Sequence, residues 1–571
     1  MPRFYKIQTL LARFFWLDHK VIGLQYALTS LCFLLLGFLL ILLLRWHLAW
    51  PTVAFPGVAR LLPETLAFEG QLLPEFYNQL GAMHGTIMVF LAVVPLAVGA
   101  FGNYLVPLMV GAPDMAFPRL NAASYWLYLA GGLIMLAGFF LPGGAAASGW
   151  TSYPPLSILA TAGQTAWLVG MLFLITSSLF GSINIIVTIL QLRAPGLTMM
   201  RLPFFVWAQL VTSFLLLLAF PPLEGAVILQ LMDRLAGTSF FLPTGLVVSG
   251  QAMNASGGGS PMLWQHLFWF LAHPEVYVLI LPALGIVAEV IANTTRKPLW
   301  GYRAMVGATL FMGFMSFLVW AHHMFLTGMG PTMSSFFQVT TMIISIPSVV
   351  IVTALLLSLY GGSIRFTVPG VFAFAFLPMF GIGGLTGLPL ALAAADIPLH
   401  DTYYVVGHFH YVVAPGTLFA LFAGIYYWFP KVTGRSMNNV LGYLHFWGSL
   451  IAMNGIFLPM MIQGLHGLNR RLYDGGRTYQ TFQGFDGSFR GQAMSAILLA
   501  VVQLFFIVNL VWTLARGRRS SENPWQATTL EWATTSPPPH DNFATTPTVY
   551  RGAYDYSQPG AAADFTPQTQ P

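Results

Sequence analysis

Residues 262–294 read MLWQHLFWFLAHPEVYVLILPALGIVAEVIANT, and this stretch decides the fold of the chain. It is long enough to cross a lipid bilayer, because a spanning helix needs about 20 apolar residues. It nevertheless carries His273, Glu275 and Glu289 among its apolar residues. Ionisable side chains are costly in hydrocarbon and mark functional sites by default. The stretch therefore predicts a membrane-spanning helix that carries part of a functional site.

The remainder of the 571-residue chain has the same apolar character. Hydrophobic residues make up 56% of it and charged residues only 7%, whereas a soluble domain carries about 25% charged residues. Several further segments are long and apolar enough to cross a bilayer. The spanning segments lie near residues 22–46, 79–109, 123–142, 165–192, 203–232, 262–294, 302–325, 336–360, 369–391, 403–429, 441–465 and 492–516. The sequence thus predicts an all-α polytopic membrane protein, a bundle of 12 transmembrane helices.

Arginine and lysine residues lie mostly on one side of these segments. Because basic loops stay in the cytoplasm, both termini are predicted to be cytoplasmic. Residues 1–20 are then an N-terminal segment, residues 21–516 the membrane domain, and residues 517–571 an extended tail rich in Pro, Thr and Ser. The net charge of +6 follows from this topology, and no nucleic-acid partner is expected. The single cysteine, Cys32, excludes disulfide bonds within the chain.

Histidines in two apolar segments have the spacing of a metal site. His273 and Tyr277 are four residues apart and share one face of a helix. His322 and His323 are adjacent, and neighbours on a regular helix diverge by about 100°. Both can reach one ion only if the helix is distorted at that point. Three imidazoles, with no thiolate or carboxylate among them, suit copper, zinc or iron.

A further pair, His408 and His410, lies in the segment near 403–429. Residues two apart on a helix point to roughly opposite faces, so this pair suits two separate centres. A haem with two axial histidines needs one more ligand, and His84 in the second apolar segment is the candidate. Two other interpretations stay open from these residues alone. The histidines could hold helices together by hydrogen bonds, or they could relay protons in a transporter or channel.

Longer motifs identify a family. The motifs AHPEVY (272–277), WAHHMF (320–325), HDTYYVVGHFHYVV (400–413), GAPDMAFPR (111–119) and WQHLFWF (264–270) closely resemble catalytic subunit I of the haem–copper respiratory oxidases. The resemblance extends from HKVIG at 19–23 to beyond NRRLYD at 469–474. It implies the reduction of dioxygen to water, coupled to proton pumping. The cytoplasmic termini fit a bacterial inner membrane.

The resemblance also implies cofactors and partners. The expected cofactors are two haems of A type, one copper ion and magnesium. The expected partners are oxidase subunits II and III, membrane lipid, and cytochrome c as the electron donor, with quinol as the alternative donor. A related branch reduces nitric oxide at a non-haem iron, which would need a carboxylate beside the histidines. The presence of Tyr277 argues against that branch.

Site roles follow from the resemblance residue by residue. It implies that His273, His322 and His323 hold copper, that His408 holds the high-spin haem iron, and that His84 and His410 hold the low-spin haem iron. It implies that Tyr277 is cross-linked to His273 and supplies a proton and an electron when the O–O bond breaks. It places Arg45, Trp269, Asp396, Arg470 and Arg471 beside the cofactors, with His400 and Asp401 as magnesium ligands.

Proton delivery is the one function for which the family pattern is incomplete. The resemblance implies that protons enter past Asp114, Asn103 and Asn121 and pass through Glu275. The second family route lacks its lysine, because Ile351 occupies that position, while Ala288 and Ser348 replace a serine and a threonine. We expect either that Glu289, Ser348 and water replace this route, or that all protons enter at Asp114. Glu224 stands where an apolar residue is expected, as a helix-pairing group or part of a proton exit.

Overall fold

The computed structural model describes residues 16–57, 64, 66–253 and 257–571. Within these ranges, 12 helical segments are long and apolar enough to cross a membrane. They are α1 (His19–Ala49), α2 (Pro74–Val110), α3 (Pro118–Phe140), α4 (Ala162–Gln191), α5 (Phe204–Leu235), α6 (Pro261–Thr295), α7 (Tyr302–Thr327), α8 (Gly330–Leu359), α9 (Val368–Ala391), α10 (Tyr403–Thr433), α11 (Asn439–Leu465) and α12 (Gln480–Arg516). The predicted all-α membrane fold is confirmed. Of the predicted N-terminal segment 1–20, residues 1–15 lie outside the described residues.

Strands in the described part of the chain are confined to three short antiparallel pairs outside the spanning helices. The pairs are β1 (Ala67–Phe68) with β2 (Gln71–Leu72), β3 (Val247–Val248) with β4 (Gln251–Ala252), and β5 (Arg435–Ser436) with β6 (Arg518–Arg519). The bundle itself therefore depends on helix–helix packing, as expected where lipid cannot satisfy backbone polar groups.

Three spanning helices depart from regular α geometry close to the predicted ligands. α2 contains π-helical turns at Ile87–Val93 and Pro95–Ala100, and α10 contains one at Val413–Leu418. α7 is α-helical up to Ser316 and becomes a 3-10 helix at Trp320–Thr327. Such irregular turns are frequent at functional sites. Here they change the directions in which α2, α7 and α10 present their side chains.

α6 occupies the middle of the bundle, where it packs against α5 and α10. Nearly all of its side chains from Leu271 to Thr295 are buried. A helix that is apolar all round belongs in the core, whereas α1 and α12 expose apolar side chains such as Leu28 and Trp512. The polar residues of α6 are consequently surrounded by protein rather than by lipid.

The tail after α12 lies across the end of the bundle at which α1 begins. Its path is irregular apart from β6 and one 3-10 turn at Leu530–Trp532. Asn542 is fully buried and hydrogen-bonds the side chain of His19 and the carbonyl of Ala112. Arg296 at the end of α6 forms an ion pair with Asp564 at 2.7 Å. The tail therefore rests on the chain's own bundle and joins the ends of α1, α2 and α6.

Candidate active site

Three histidines from α6 and α7 converge on one point. Nδ1 of His273 lies 3.3 Å from Nε2 of His323, and Nε2 of His322 lies 3.0 Å from that same atom. One ligand atom from each residue lies within 4.8 Å of the other two. Imidazole nitrogens that share one ion at about 2.0 Å in a tetrahedral arrangement are about 3.3 Å apart. The trio therefore fits a single metal ion with three nitrogen ligands.

The distortion of α7 explains how two adjacent histidines reach the same point. Both residues lie in the 3-10 segment that follows Ser316, and Met324 next to them has a non-helical φ of −129°. His322 turns its other ring nitrogen, Nδ1, to the hydroxyl of Thr341 at 2.8 Å. A hydrogen bond of this kind fixes the tautomer and the orientation of a metal-binding imidazole.

Tyr277 and Trp269 complete the surroundings of the three histidines. The ring of Tyr277 lies 5.0 Å from that of His273, centroid to centroid, one helical turn along α6. Nε2 of His273 is buried and has no hydrogen-bond partner within the described part of the chain. Trp269 stacks on His323 at 3.8 Å with 11° between the planes, and its indole N–H donates to the hydroxyl of Tyr153.

His84 of α2 and His410 of α10 face each other with nearly parallel rings. Their centroids are 6.5 Å apart and their planes differ by 3°. Each Nδ1 bonds a backbone carbonyl at 2.8 Å, that of Gly37 for His84 and that of Val406 for His410. No described residue hydrogen-bonds either Nε2. Two imidazoles bound axially to one haem iron at about 2.0 Å have centroids about 6 Å apart. The pair therefore fits a six-coordinate haem.

His408 lies two residues before His410 on α10. Its Nδ1 bonds the carbonyl of Gly383 on α9 at 2.8 Å, and Nε2 has no hydrogen-bond partner among the described residues. The two histidines of α10 thus use one nitrogen each to fix their rings and keep the other for a ligand. Two separate iron centres on one helix are compatible with this arrangement.

A polar layer lies at the opposite end of the bundle from the tail. Arg470 pairs with Oδ1 of Asp401 through two of its nitrogens, and Nδ1 of His400 contacts Oδ2 of Asp396 at 3.1 Å. The free oxygen of Asp401, Oδ2, lies 4.0 Å from Nε2 of His400. Burial opposes ionisation of Asp401, but Arg470 outweighs it and holds the pKa of this carboxyl below its ordinary value. An ionised carboxylate and an imidazole are thereby brought together.

Two further arginines, Arg471 and Arg45, lie near this layer. Arg471 is exposed and adopts a positive φ of 72°. Arg45 of α1 is 7% exposed and donates to the side chain of Gln492 at 3.1 Å. Its guanidinium also lies over the ring of Tyr403 at 5.5 Å. Guanidinium groups with spare donors suit carboxylate or carbonyl groups of a ligand.

Glu275 lies on α6, two residues after His273 of the histidine trio. It is 1% exposed, and neither of its carboxyl oxygens has a hydrogen-bond partner among the described residues. Buried polar groups are almost always satisfied, so an orphaned carboxyl needs a particular explanation. A side chain that exchanges partners, or that bonds mobile water, provides one.

Asp114 lies in the short connection between α2 and α3, on the same side as the tail. Burial raises the pKa of its carboxyl to about 6. The amide groups of Asn103 and Asn121 lie nearby in the sequence and are nearly fully buried. Among the residues that the structure describes, Oδ1 of Asn103 and both polar side-chain atoms of Asn121 lack a hydrogen-bond partner. Buried amides without a protein partner are suited to bind water.

A cavity of about 40 Å³ continues inward from Asn103. Its polar lining comes from α1, α2, α3 and α4, and includes Tyr26, Asn103, Ser124, Ser177 and Ser178. Because one water needs about 10–15 Å³ of such space, the cavity has room for a few waters. Sequence reasoning did not single out Tyr26 or the serines. The consecutive serines 177–178 in an apolar helix are the signal that could have found this lining.

Glu289 and Ser348 are the residues of the predicted replacement route, and Ile351 stands at the position of the missing lysine. Oε1 of Glu289 accepts hydrogen bonds from the backbone N–H of Phe205 at 3.1 Å and from the hydroxyl of Tyr554 at 2.6 Å. Ser348 makes no side-chain hydrogen bond in the described part of the chain, and Ile351 is fully buried. The structure therefore joins Glu289 to α5 and the tail and forms no hydrogen bond between Glu289 and Ser348.

Residues 21–492 match the family described as cytochrome c and quinol oxidase polypeptide I. The chain belongs to that family. It is 45% identical to cytochrome c oxidase subunit 1 of Synechocystis sp., over 95% of this chain and 92% of the relative. It is 46% identical to alternative cytochrome c oxidase subunit 1 of Bradyrhizobium diazoefficiens, over 97% of this chain and 92% of the relative.

A solved structure of a haem–copper terminal oxidase dimer has the same fold, with a TM-score of 0.69 and 21% identity over 88% of this chain and 85% of that one. As a member of the oxidase family, the chain is an oxidoreductase that reduces dioxygen and translocates protons. It is an integral multi-pass membrane protein that uses haem and copper, works with associated subunits and receives electrons from a redox donor.

Proposed function

We propose that this oxidase subunit binds an A-type low-spin haem through His84 and His410 and takes its electrons from cytochrome c. The near-parallel imidazoles of these two residues, 6.5 Å apart with free Nε2 atoms, are the observation that carries the proposal. Arg45 lies buried beside this pair and offers donors to a haem formyl group. The donor is inferred from relatives named cytochrome c oxidase subunit 1 in Synechocystis sp. and Bacillus sp..

His408 is the proposed ligand of the high-spin haem, and His273, His322 and His323 are the proposed ligands of copper. When bound, the iron and copper supply electrons for the reduction of dioxygen. Tyr277 gives a proton and an electron from its phenol at the same site. Its position one turn from His273 supports a covalent bond to the unused Nε2 of that histidine.

Asp114 is the proposed point at which protons enter from the cytoplasm of a bacterial cell. The proton path continues past Asn103 and Asn121 into the polar cavity and ends at Glu275. Three observations support this path: the unsatisfied amides of Asn103 and Asn121, the polar cavity that Asn103 helps to line, and the unsatisfied carboxyl of Glu275. Glu275 holds a proton and hands it on because no fixed partner competes for its oxygens.

The outer polar layer is proposed to hold magnesium and the haem propionates. His400 and the free Oδ2 of Asp401 are the magnesium ligands, with Asp396 orienting His400. An ion that prefers oxygen ligands and keeps several waters suits a site with only two protein ligands. Arg470 and Arg471 supply the donors for the propionates.

Metal and haem analysis of the purified complex tests the ligand assignments. We expect two haems and one copper ion per chain, with copper lost and both haems retained in His323→Ala. A nitric oxide reductase would instead contain non-haem iron in place of copper. Oxygen consumption driven by reduced cytochrome c, compared with ubiquinol, tests the donor. Faster turnover with ubiquinol would refute the assignment of cytochrome c.

Glu289 with Ser348 is the second candidate route for protons. It is tested by Glu289→Gln in the purified complex, with the rate of reduction of the metal site measured across pH. A slower rate with a changed pH dependence supports the route. An unchanged rate assigns all proton uptake to Asp114, in which case Asp114→Asn abolishes uptake in both halves of the catalytic cycle.

A further inference from the structure

Four arginine side chains are grouped where α11 begins and α12 ends. β5 (Arg435–Ser436) precedes α11, and β6 (Arg518–Arg519) follows Arg516, the last residue of α12. The antiparallel pairing of β5 with β6 closes this end of the α11–α12 pair, on the side predicted to be cytoplasmic. The backbone N–H of Ser520 extends the pairing with a bond to the carbonyl of Gly434 at 2.9 Å. One hydrogen-bonded platform thus carries the arginines.

The pairing places two like charges opposite each other. Arg435 and Arg519 are cross-strand partners, and the Cβ atoms of such partners are about 5 Å apart. Like charges directly opposite each other destabilise a strand pair. Arg435 donates one N–H to the carbonyl of Gly517 at 2.7 Å, whereas the exposed side chain of Arg519 bonds no described residue. An anion between the two guanidinium groups would remove their repulsion.

The described part of the chain supplies no carboxylate for this purpose. None of the four arginines forms an ion pair with a described acidic residue. Glu522 is the nearest acidic residue in the sequence, three positions after Arg519, and it is exposed and in no such pair. The guanidinium groups are therefore available to an anion from outside the chain.

The surface beside the platform is apolar and carries tryptophan near the arginines. Exposed apolar side chains at helical spacing form a stripe on each helix: Val440, Leu444 and Trp447 on α11, and Leu504, Val508 and Trp512 on α12. The guanidinium of Arg516 lies over the ring of Trp512, 5.6 Å from its centroid. Tryptophan is enriched at the headgroup level of a bilayer. The guanidinium groups are thus placed at the depth of lipid phosphates.

We propose that this end of the α11–α12 pair binds an anionic phospholipid, with its phosphate between Arg435 and Arg519 and its acyl chains along the two apolar stripes. Basic side chains next to a membrane attract lipids of net negative charge. A zwitterionic lipid brings a positive group into the site and gains less. Free phosphate has the same charge chemistry but lacks the apolar contacts that strengthen binding. The inference requires none of the haem, copper or donor assignments.

Lipid titration of the purified complex tests the site. The complex is stripped of lipid in a neutral detergent, phosphatidylglycerol is added, and bound lipid per chain is counted by native mass spectrometry. We expect the double substitution of Arg435→Gln with Arg519→Gln to weaken the tightest binding about 30-fold, and Arg519→Gln alone, which keeps the bond to Gly517, about fivefold. Haem absorbance and oxygen consumption stay at the parental level, because neither residue contacts the proposed ligands.

Arg303→Gln is the matched control. Arg303 is an exposed arginine at the start of α7, at the same end of the bundle, and its substitution removes the same charge. Its affinity for phosphatidylglycerol is expected to equal that of the parent. Phosphatidylcholine and inorganic phosphate, titrated in parallel, are expected to bind at least about tenfold more weakly than phosphatidylglycerol. An equal loss in Arg303→Gln, an unchanged affinity in Arg519→Gln, or equally tight binding of phosphatidylcholine or phosphate would overturn the proposal.

Discussion

Replacement of Trp269 by Phe tests whether residues around the histidine trio control copper affinity. The indole ring stacks on His323 at 3.8 Å and donates its N–H to Tyr153. Phenylalanine keeps part of the stacking and loses the hydrogen bond. The lost hydrogen bond costs about 1 kcal/mol, and the smaller ring forfeits part of the roughly 0.5–1.5 kcal/mol of an aromatic contact. The sum is about 1.5–2 kcal/mol, which corresponds to about 10- to 30-fold weaker copper binding.

The assay is copper retention in the purified complex. Samples are equilibrated with increasing concentrations of a copper chelator, and copper per pair of haems is measured. We expect the midpoint for Trp269→Phe to fall about 10- to 30-fold below that of the parent, within the range of about 10- to 100-fold known for residues that orient metal ligands. His323 remains in place, so full occupancy is still reached without chelator.

Trp264→Phe is the matched control. Trp264 also lies on α6, is fully buried, and donates its indole N–H to the carbonyl of Thr151 at 2.9 Å. Its ring contacts Phe241 and Phe268 and stacks on none of the three histidines. A comparable loss of copper in Trp264→Phe would refute the reasoning, because a general loosening of α6 would then explain the loss. An unchanged midpoint in Trp269→Phe would also refute it, because Trp269 would then have no effect on copper binding.

Three further outcomes are expected. Thr341→Val removes the hydrogen bond that orients His322 and lowers copper retention about three- to tenfold in the same assay. Asp114→Asn raises thermal stability at pH 8 but not at pH 4. Because the pKa of Asp114 is raised to about 6 in the folded state, ionisation of this carboxyl lowers the free energy of unfolding. This loss is absent below pH 4 and complete above pH 6, and asparagine avoids it. Tyr554→Phe removes two hydrogen bonds, both of 2.6 Å, that hold the tail to α5 and α6. Proteolysis of the tail is therefore expected to be about 30-fold faster. The control substitution Tyr550→Phe, at an exposed position of the tail, leaves the rate unchanged.

The apolar segments predicted from hydropathy coincide with all 12 spanning helices, but several of the predicted segments are shorter than the observed helices. The segment predicted at 336–360 is the helix Gly330–Leu359, and the one predicted at 79–109 is Pro74–Val110. The missing turns lie at helix ends, where polar residues are tolerated because the helix has left the hydrocarbon. An apolar window cannot detect them, since it measures the thickness of the bilayer rather than the length of the helix.

The histidines that we propose as metal ligands could be predicted from the sequence because the motifs around them are long and local. Spacing alone placed His408 and His410 on different faces of one helix. Spacing also predicted that the helix must be distorted if His322 and His323 are to reach one ion, and the 3-10 segment of α7 provides that distortion. The cavity lined by Tyr26 and three serines could not be found in this way. Its polar residues come from four helices, and only the packing of the bundle brings them together.

The two carboxyl groups inside α6 differ in how tightly they are held, and this difference bears on how protons reach the metal site. Oε1 of Glu289 accepts hydrogen bonds from the first turn of α5 and from Tyr554 of the tail, which fixes the side chain at a three-way junction. Glu275 accepts no such bond from any described residue. A proton carrier must exchange partners, so Glu275 is suited to transfer and Glu289 to anchoring. Ile351, at the position of the missing lysine, is fully buried. The balance of these contacts favours a single uptake route through Asp114 over one through Glu289.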